Sequence, residues 1–276
     1  MTFSSVHRPL APVAPTPSRR RPLAAVLVGL VALACSACGG NARAVTPGNA
    51  PDPDRFLFER GTAALADKNW LNAREYFRQV VDNYPQSPMR PDAKLGIGDS
   101  FLGENTAESL VPAANEFREF LTFYPTSAKA DYAQFKLAMS HYQQMRAPER
   151  DQTETRQALA EFDVFFARFP MSPLITEVRQ KWREARDRLS DASFRVGFHY
   201  FRVRWYPGAI DRFREVLKED PQYTHRDSLY FYLAESLTRT DKTAEAIPYF
   251  ERLISEFTTS ALLEDTKKRL ATLKKP

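Results

Sequence analysis

Apolar residues recur at helical spacing from Arg55 onward. One triplet, an alanine followed by larger apolar residues at i+4 and i+7, returns five times: Ala73/Phe77/Val80, Ala113/Phe117/Phe120, Ala158/Phe162/Phe165, Ala209/Phe213/Val216 and Ala246/Phe250/Leu253. Because these positions share one face of an α-helix, each triplet predicts a helix with one buried side. A proline stands twelve residues after four of the five alanines and predicts where the helix ends: Pro85, Pro125, Pro170 and Pro221.

A partner helix is predicted upstream of each triplet by a small residue with a second residue of the same face three positions later. The five pairs are Gly61/Ala64, Gly98/Phe101, Ala138/His141, Gly197/Tyr200 and Ala234/Leu237. A small residue lets two helices approach closely, so the phenylalanine of the next helix fills the groove beside it. Each unit is then a hairpin of about 34 residues that resembles the tetratricopeptide repeat. The sequence predicts an all-α fold, a tetratricopeptide-repeat superhelix of five helical hairpins.

The repeat spacing lengthens between the third and fourth hairpins. Pro170 and Gly197 are 27 residues apart, whereas the same interval is 13 in three other cases. The added residues carry an apolar stripe at helical spacing: Ile175, Val178, Trp182, Ala185 and Leu189. We therefore expect a long connecting helix between repeats three and four, extended by about 21 Å. It divides the chain into an N-terminal module, 55–173 with repeats 1–3, and a C-terminal module, 174–276 with the linking helix and repeats 4–5.

The composition agrees with a packed helical body. Of 276 residues, 43% are hydrophobic and 12% aromatic, and only 10 are glycine. This content is ample for a core and excludes disorder for most of the chain, while the scarcity of glycine disfavours β-rich folds and glycine-loop enzymes. A formal charge of +5 demands no polyanionic partner.

The front of the chain reads as a targeting segment. Arg19, Arg20 and Arg21 precede an uncharged run over 23–34 and two cysteines, Cys35 and Cys38, which is a signal-peptide pattern. The ending resembles the lipobox of bacterial lipoproteins. We predict a signal peptide over 1–37 and lipidation of Cys38, with Cys35 as the alternative, and a flexible tether over 38–54. An ordinary cleaved signal, and export by the Sec or the twin-arginine route, stay open.

Removing residues 1–37 changes the charge balance. The segment contains four arginines and no acidic residue, so 35 basic and 34 acidic residues remain. The basicity of the chain belongs mostly to its signal. With two or more acyl chains in the bilayer, attachment through the N-terminal lipid would be stable without a membrane-spanning helix.

No pattern of catalytic or metal-binding residues is present in the sequence. The four histidines are scattered, both cysteines lie near the N-terminus, and no Gly-rich phosphate loop follows a strand. We expect no enzyme activity, no metal and no cofactor. His141 occupies a helix face that carries an aromatic residue in repeats two and four, and we interpret it as a packed side chain.

Two charged segments are candidate binding surfaces. The string from Arg146 to Arg156 lies inside the third hairpin and is predicted to be a solvated loop, with a partner contact as the alternative. In the segment 194–205, basic and aromatic residues alternate. We interpret its aromatics as packing of the long helix on repeat four, and Arg202, Arg204 and Arg212 as the rim of a protein-binding surface. The near-neutral body argues against nucleic acid.

From Cys38 to about Leu273 the chain resembles the BamD family of outer-membrane β-barrel assembly lipoproteins. The resemblance rests on the cysteine, the tether, the hairpins, the insertion in the third repeat and four stretches: KNWLNA at 68–73, DNYP at 82–85, FKLAMSHYQQM at 135–145 and ALAEFDVFFARFP at 158–170. It implies a non-catalytic scaffold that is lipid-anchored at the periplasmic face of the outer membrane.

The resemblance also implies partners and sites. The C-terminal repeats would bind the POTRA region of a BamA-like protein, with Arg212 facing it between Asp211 and Arg214. The N-terminal repeats would receive signals in unfolded outer-membrane proteins, with Tyr84 on the substrate side. Other assembly-machine lipoproteins are further candidate partners. On physical grounds, Phe56 and Phe58 are aromatic candidates for a peptide-binding concave face.

Two rival functions fit the same repeats. The first is another envelope tetratricopeptide lipoprotein resembling the TolA-binding coordinator. That family usually carries an N-terminal coiled coil, which residues 39–54 cannot supply. The second is a repeat protein that regulates a cell-wall enzyme.

Overall fold

The computed structural model describes residues 51–274. Within this range the chain forms eleven helices: α1 Pro53–Ala66, α2 Trp70–Asn83, α3 Arg90–Glu104, α4 Ala107–Phe123, α5 Ala130–Tyr142, α6 Thr153–Arg168, α7 Ile175–Arg202, α8 Tyr206–Glu219, α9 Arg226–Thr238, α10 Thr243–Glu256 and α11 Leu263–Leu273. No strand occurs between residues 51 and 274. The predicted all-α class is confirmed.

Successive helices pair into hairpins. In the described chain α1 packs on α2, α3 on α4, α5 on α6, α7 on α8 and α9 on α10, and α11 packs on α10 at the end. The first helices of neighbouring hairpins also touch: α1 contacts α3, α3 contacts α5 and α7 contacts α9. Side chains of the first helices therefore meet along one side of the stack.

Close helix crossings depend on glycine. A Cβ atom added to Gly61 would lie 2.7 Å from the Phe77 ring, and one added to Gly197 would lie 2.8 Å from the Phe213 ring. Both distances are shorter than real Cβ contacts. Phe77 and Phe213 are buried. The predicted pairing of a small residue with a phenylalanine is confirmed at these crossings.

The second helices end where the sequence predicts. Tyr84 follows the last residue of α2 and adopts ψ 66°, outside the helical region, immediately before Pro85. Tyr124 and Phe169 end α4 and α6 in the same way, with ψ 53° and 50°. A residue before proline avoids the α conformation because the proline ring clashes with it. Each of these helices therefore ends two residues before its proline.

A serine-to-aspartate hydrogen bond recurs in three hairpins of the described chain. In each, a serine in the turn after the second helix donates to an aspartate in the first turn of the first helix, at 2.6 Å: Ser87 to Asp54, Ser172 to Asp131 and Ser260 to Asp227. The bond ties both ends of the hairpin together. Helix α1 begins at Pro53, two residues before the expected start at Arg55, with the proline in its first turn.

The predicted connecting helix and the first helix of the fourth hairpin are one continuous element, α7, of 28 residues. This helix packs on α6 and on α8. In the turn after α8, Asp220 accepts hydrogen bonds from Arg183 Nη1 at 3.0 Å and from Ser190 Oγ at 2.7 Å. The described residues belong to one compact unit, so the division into two modules at 173/174 stays a prediction.

Core residues gather in four clusters within the described part. Their central side chains include the phenylalanines of the second helices: Phe77, Phe117, Phe162, Phe213 and Phe250. The cluster around Phe213 is joined by Phe194, Phe198 and Phe201 of α7. The interpretation that the aromatics of segment 194–205 pack on repeat four is confirmed for these three residues, whereas Trp205 is 54% exposed.

The predicted signal peptide, Cys35, Cys38 and the tether up to residue 50 lie outside the described residues. Of the described helices, none combines the length and the apolar character that a membrane span requires.

Candidate partner-binding surfaces

The first hairpins form a groove that we call the inner groove. It has a volume of about 310 Å³ and is lined by residues of α1, α2, α3 and α5 and of the turn before α5. Its apolar part comprises Phe58, Leu65, Phe77 and Leu95. Such a surface can hold apolar side chains of an extended peptide.

The floor of the inner groove is set by the Phe77 ring. A Cβ on Gly61 or on Gly96 would lie within 2.7 Å of this ring, so the two glycines hold it from α1 and from α3. Phe58 packs on the same ring, with centroids 5.7 Å apart. The position of the Phe77 ring is therefore set by the close approach of the α1 and α3 backbones at these glycines.

Carboxylates line the opposite wall of the inner groove. Asp99 accepts a hydrogen bond from the Tyr132 hydroxyl at 2.8 Å, and Asp92 pairs with Lys129 Nζ at 2.9 Å. Burial raises the pKa of Asp99 above its usual range, although the Tyr132 hydrogen bond and two nearby lysines act in the opposite direction. Burial also raises the pKa of Tyr132, so its hydroxyl stays a donor.

The three residues predicted for peptide binding are not brought together. Phe58 lines the inner groove, whereas Phe56 and Tyr84 are absent from its lining. Phe56 is half-buried, with the Arg60 guanidinium 5.3 Å from its ring centroid. Tyr84 ends α2 and packs on the Phe77 cluster. Repeat spacing did not single out Asp99 and Tyr132, because the pair joins two different hairpins.

A second groove, which we call the basic groove, lies where the third hairpin meets α7 and α8. Its volume is about 640 Å³. Its basic side chains come from three segments: Arg150 and Arg156 from the third hairpin, Arg195 and His199 from α7, and Arg212 from α8. Carboxylates of a partner could pair with these guanidinium groups in bidentate fashion.

Arg212 is the predicted partner-facing residue, and it lies in the basic groove. Its side chain is 47% exposed and its Nη1 atom is 2.8 Å from Glu215 Oε2. Asp211 is also exposed but does not line the groove. Arg214 pairs with Glu245 of α10 instead. The structure thus places Arg212 in the basic groove without its two neighbours.

The charged insertion of the third hairpin folds onto α7. Glu149 pairs with Arg195, and Arg188 Nη1 donates to the backbone carbonyl of Arg146 at 2.9 Å. The sequence predicts a solvated loop from Arg146 to Arg156, but residues 153–156 form the first turn of α6 and the string lines one wall of the basic groove. The contact was hidden in the sequence, because it joins residues about forty positions apart along the chain.

The remaining candidates lie outside both grooves. His141 Nδ1 lies 2.8 Å from Glu154 Oε2 in a half-buried position. Arg202 and Arg204 are exposed near the end of α7, outside the lining of the basic groove. Across residues 51–274 there is no group of three or more His, Cys, Asp or Glu that could hold a metal ion.

The hairpins, the glycine–phenylalanine crossings and the proline-stopped helices define a tetratricopeptide repeat protein. A tetratricopeptide repeat model matches residues 228–260. The outer membrane lipoprotein model of the YfiO family matches residues 51–240, and the chain belongs to that family.

Two similar relatives carry the same name. The chain is 28% identical to the "Outer membrane protein assembly factor BamD" of Caulobacter vibrioides, over 82% of this chain and 73% of that protein. It is 24% identical to the protein of the same name from Rickettsia prowazekii, over 71% of this chain and 77% of the relative.

Solved structures that the chain is similar to include a tetratricopeptide repeat protein from Parabacteroides merdae. The TM-score is 0.34 at 14% identity, over 80% of this chain and 73% of that one. Another is the TPR2AB domain of yeast Sti1 in its pHSP90 complex, with a TM-score of 0.47 at 12% identity, over 80% and 83% of the two chains.

Proposed function

We propose that this chain is an assembly factor for outer membrane proteins. It acts as a non-catalytic scaffold, anchored through a lipid on Cys38 at the periplasmic face of the outer membrane. The observation that carries the proposal is the family match over residues 51–240, together with relatives that are named assembly factors. A stack of helical hairpins supports this role because its grooves can hold partner chains.

The two grooves suit two kinds of partner. We assign the basic groove around Arg212 to the POTRA region of a BamA-like protein and the inner groove to unfolded outer membrane proteins. In the basic groove, Arg150 and Arg156 reinforce the positive charge of Arg212, while Arg195 is paired with Glu149. In the inner groove, the half-buried Phe58 and Leu65 offer apolar surface. A scaffold with both grooves can hold a client polypeptide and a partner of the machine on one chain.

The substitution Arg212→Glu tests the partner assignment. We expect it to weaken binding to the POTRA region about tenfold or more, because charge complementarity across an interface is replaced by repulsion. The matched control is Arg118→Glu, since Arg118 is also exposed on a second helix and bonds a neighbour in its own helix, Asn115. Binding is measured by surface plasmon resonance, with thermal melts to show that both variants fold.

Equal binding by the Arg212 variant and the parent would overturn the assignment to the basic groove. Purification of the chain from solubilised envelopes tests the wider proposal. Recovery of a TolA-like protein or of a cell-wall enzyme in place of a BamA-like protein would contradict the assembly role.

A further inference from the structure

Asp99 differs from the other carboxylates of the inner groove. Asp92 pairs with Lys129, and Asp131 accepts a hydrogen bond from Ser172 Oγ at 2.6 Å. Among the described residues Asp99 forms no ion pair, and its side-chain hydrogen bond comes from the neutral Tyr132 hydroxyl. The inner groove thus holds a half-buried carboxylate whose neighbouring cations, Lys129 and Lys136, lower its pKa but form no ion pair with it.

The ionised form of Asp99 is disfavoured by the fold itself. A folded-state pKa raised by burial means that the fold binds the protonated carboxyl more favourably than the ionised one. At neutral pH the charge on Asp99 therefore lowers the free energy of unfolding. A cation bound beside Asp99 would remove this cost.

The surroundings of Asp99 suit a cation that also carries an apolar part. Phe58 and Leu65 share the groove with it and present half-buried apolar surface. Lysine and arginine combine a long aliphatic stem with a charged end, so one such side chain can cover apolar surface and reach a carboxylate together. A lining with three aspartates and one lysine is also complementary to a positive charge.

We propose that the inner groove binds an extended peptide by holding a lysine or arginine side chain, with its stem on Phe58 and Leu65 and its charged end on Asp99. This inference rests on the proposed binding of unfolded polypeptides and adds the class of side chain that the groove selects. Apolar neighbours of the basic residue in the peptide would fill the rest of the floor.

The test uses the full-length chain in detergent and two fluorescent ten-residue peptides. Both contain valine, phenylalanine and threonine around a central position, which is lysine in one and acetyl-lysine in the other. We expect the parent to bind the lysine peptide about tenfold tighter than the acetyl-lysine peptide, because a hydrogen-bonded charge pair increases the affinity by roughly a factor of ten. The preference should shrink as salt is raised.

The variant Asp99→Asn should bind both peptides equally, with the affinity that the parent has for the acetyl-lysine peptide. The matched control is Asp92→Asn, which removes a carboxylate of the same groove that is already paired with Lys129, and it should keep the preference. Tyr132→Phe retains the charge on Asp99 and should keep the preference too. We expect the Asp99 variant to melt at or above the parent temperature at neutral pH.

Two results would overturn the inference, and they are distinguishable. If the parent binds both peptides with equal affinity, peptide binding by the groove stands and selection by Asp99 is wrong. If the parent binds neither peptide, the proposed peptide-binding role of the inner groove falls together with the inference.

Discussion

One phenylalanine sits at the centre of each hairpin. Phe162 is fully buried, packs edge-on against Tyr142 with ring centroids 6.4 Å apart, and belongs to the cluster that joins α5, α6 and α7. Its role is to fill the space that small residues of the first helix leave open. Residues of this kind determine stability rather than partner binding.

The substitution Phe162→Ala should lower the free energy of unfolding by about 3–5 kcal/mol, because it leaves a cavity in a close-packed cluster. The control is Phe123→Ala, since Phe123 is 68% exposed and should lose little. Urea denaturation followed by circular dichroism measures both. Equal midpoints for the Phe162 variant and the parent would show that this register of the third hairpin is wrong.

At the residue scale, the sequence predicts which side chains are buried better than it predicts which polar side chains form hydrogen bonds with each other. Spacing identified Phe77, Phe162 and Phe213, because apolar periodicity reports directly on the buried face of a helix. The Asp99–Tyr132 pair was missed, because a hydrogen bond between hairpins leaves no periodic signal. Tyr84 was favoured by motif resemblance, and its role as a peptide contact stays a prediction.

At the scale of the element, helix α7 is the unusual feature. It continues through 28 residues, and its middle is tied to the turn after α8 by Arg183, Ser190 and Asp220. Burial opposes ionisation of Asp220, but hydrogen bonds from Arg183 and Ser190 outweigh it and lower the pKa of this carboxyl. The ionised junction ties the end of α8 to the middle of α7.

The substitution Asp220→Asn should lower the free energy of unfolding by on the order of 3 kcal/mol at neutral pH, because it leaves Arg183 partly buried without its full partner. Because the pKa of Asp220 is lowered in the folded state, its ionised carboxylate stabilises the fold at pH values above 3.8, the usual pKa. This stabilisation is lost as the pH falls through the folded-state pKa. The difference between variant and parent should therefore shrink in acid.

Denaturation from pH 7 down to pH 3 measures the effect of Asp220→Asn, with exposed Asp82→Asn as the control. A difference that stays constant over this range would contradict the ionic account of the junction.

Element boundaries were predicted well where proline ends a helix and less well elsewhere. The second helices end beside their prolines because the restriction is local. The tie of α1 to the turn after α2 joins Asp54 to Ser87, more than thirty residues away, and the charged insertion packs on α7. Contacts of this range are not encoded in local spacing.

At the scale of the whole molecule, the described chain carries two grooves of different chemistry. The inner groove combines apolar surface with aspartates, and the basic groove collects arginines from three segments. The family predicted from the sequence is shown, and the two partners that the resemblance implies stay predictions. The sequence shows no sign of how the site around Arg212 is built. It did not anticipate that the insertion and α7 would complete the site around Arg212, because those segments meet only in the folded chain.

The central claim is that the groove around Arg212 holds a partner of the outer membrane assembly machine. Photo-crosslinking from position 212 in intact cells tests it most directly, with position 118 as the control. We predict one dominant adduct from position 212 that contains a BamA-like POTRA protein, and none from position 118. An adduct pattern that is the same at both positions, or that lacks such a protein at position 212, would contradict the account.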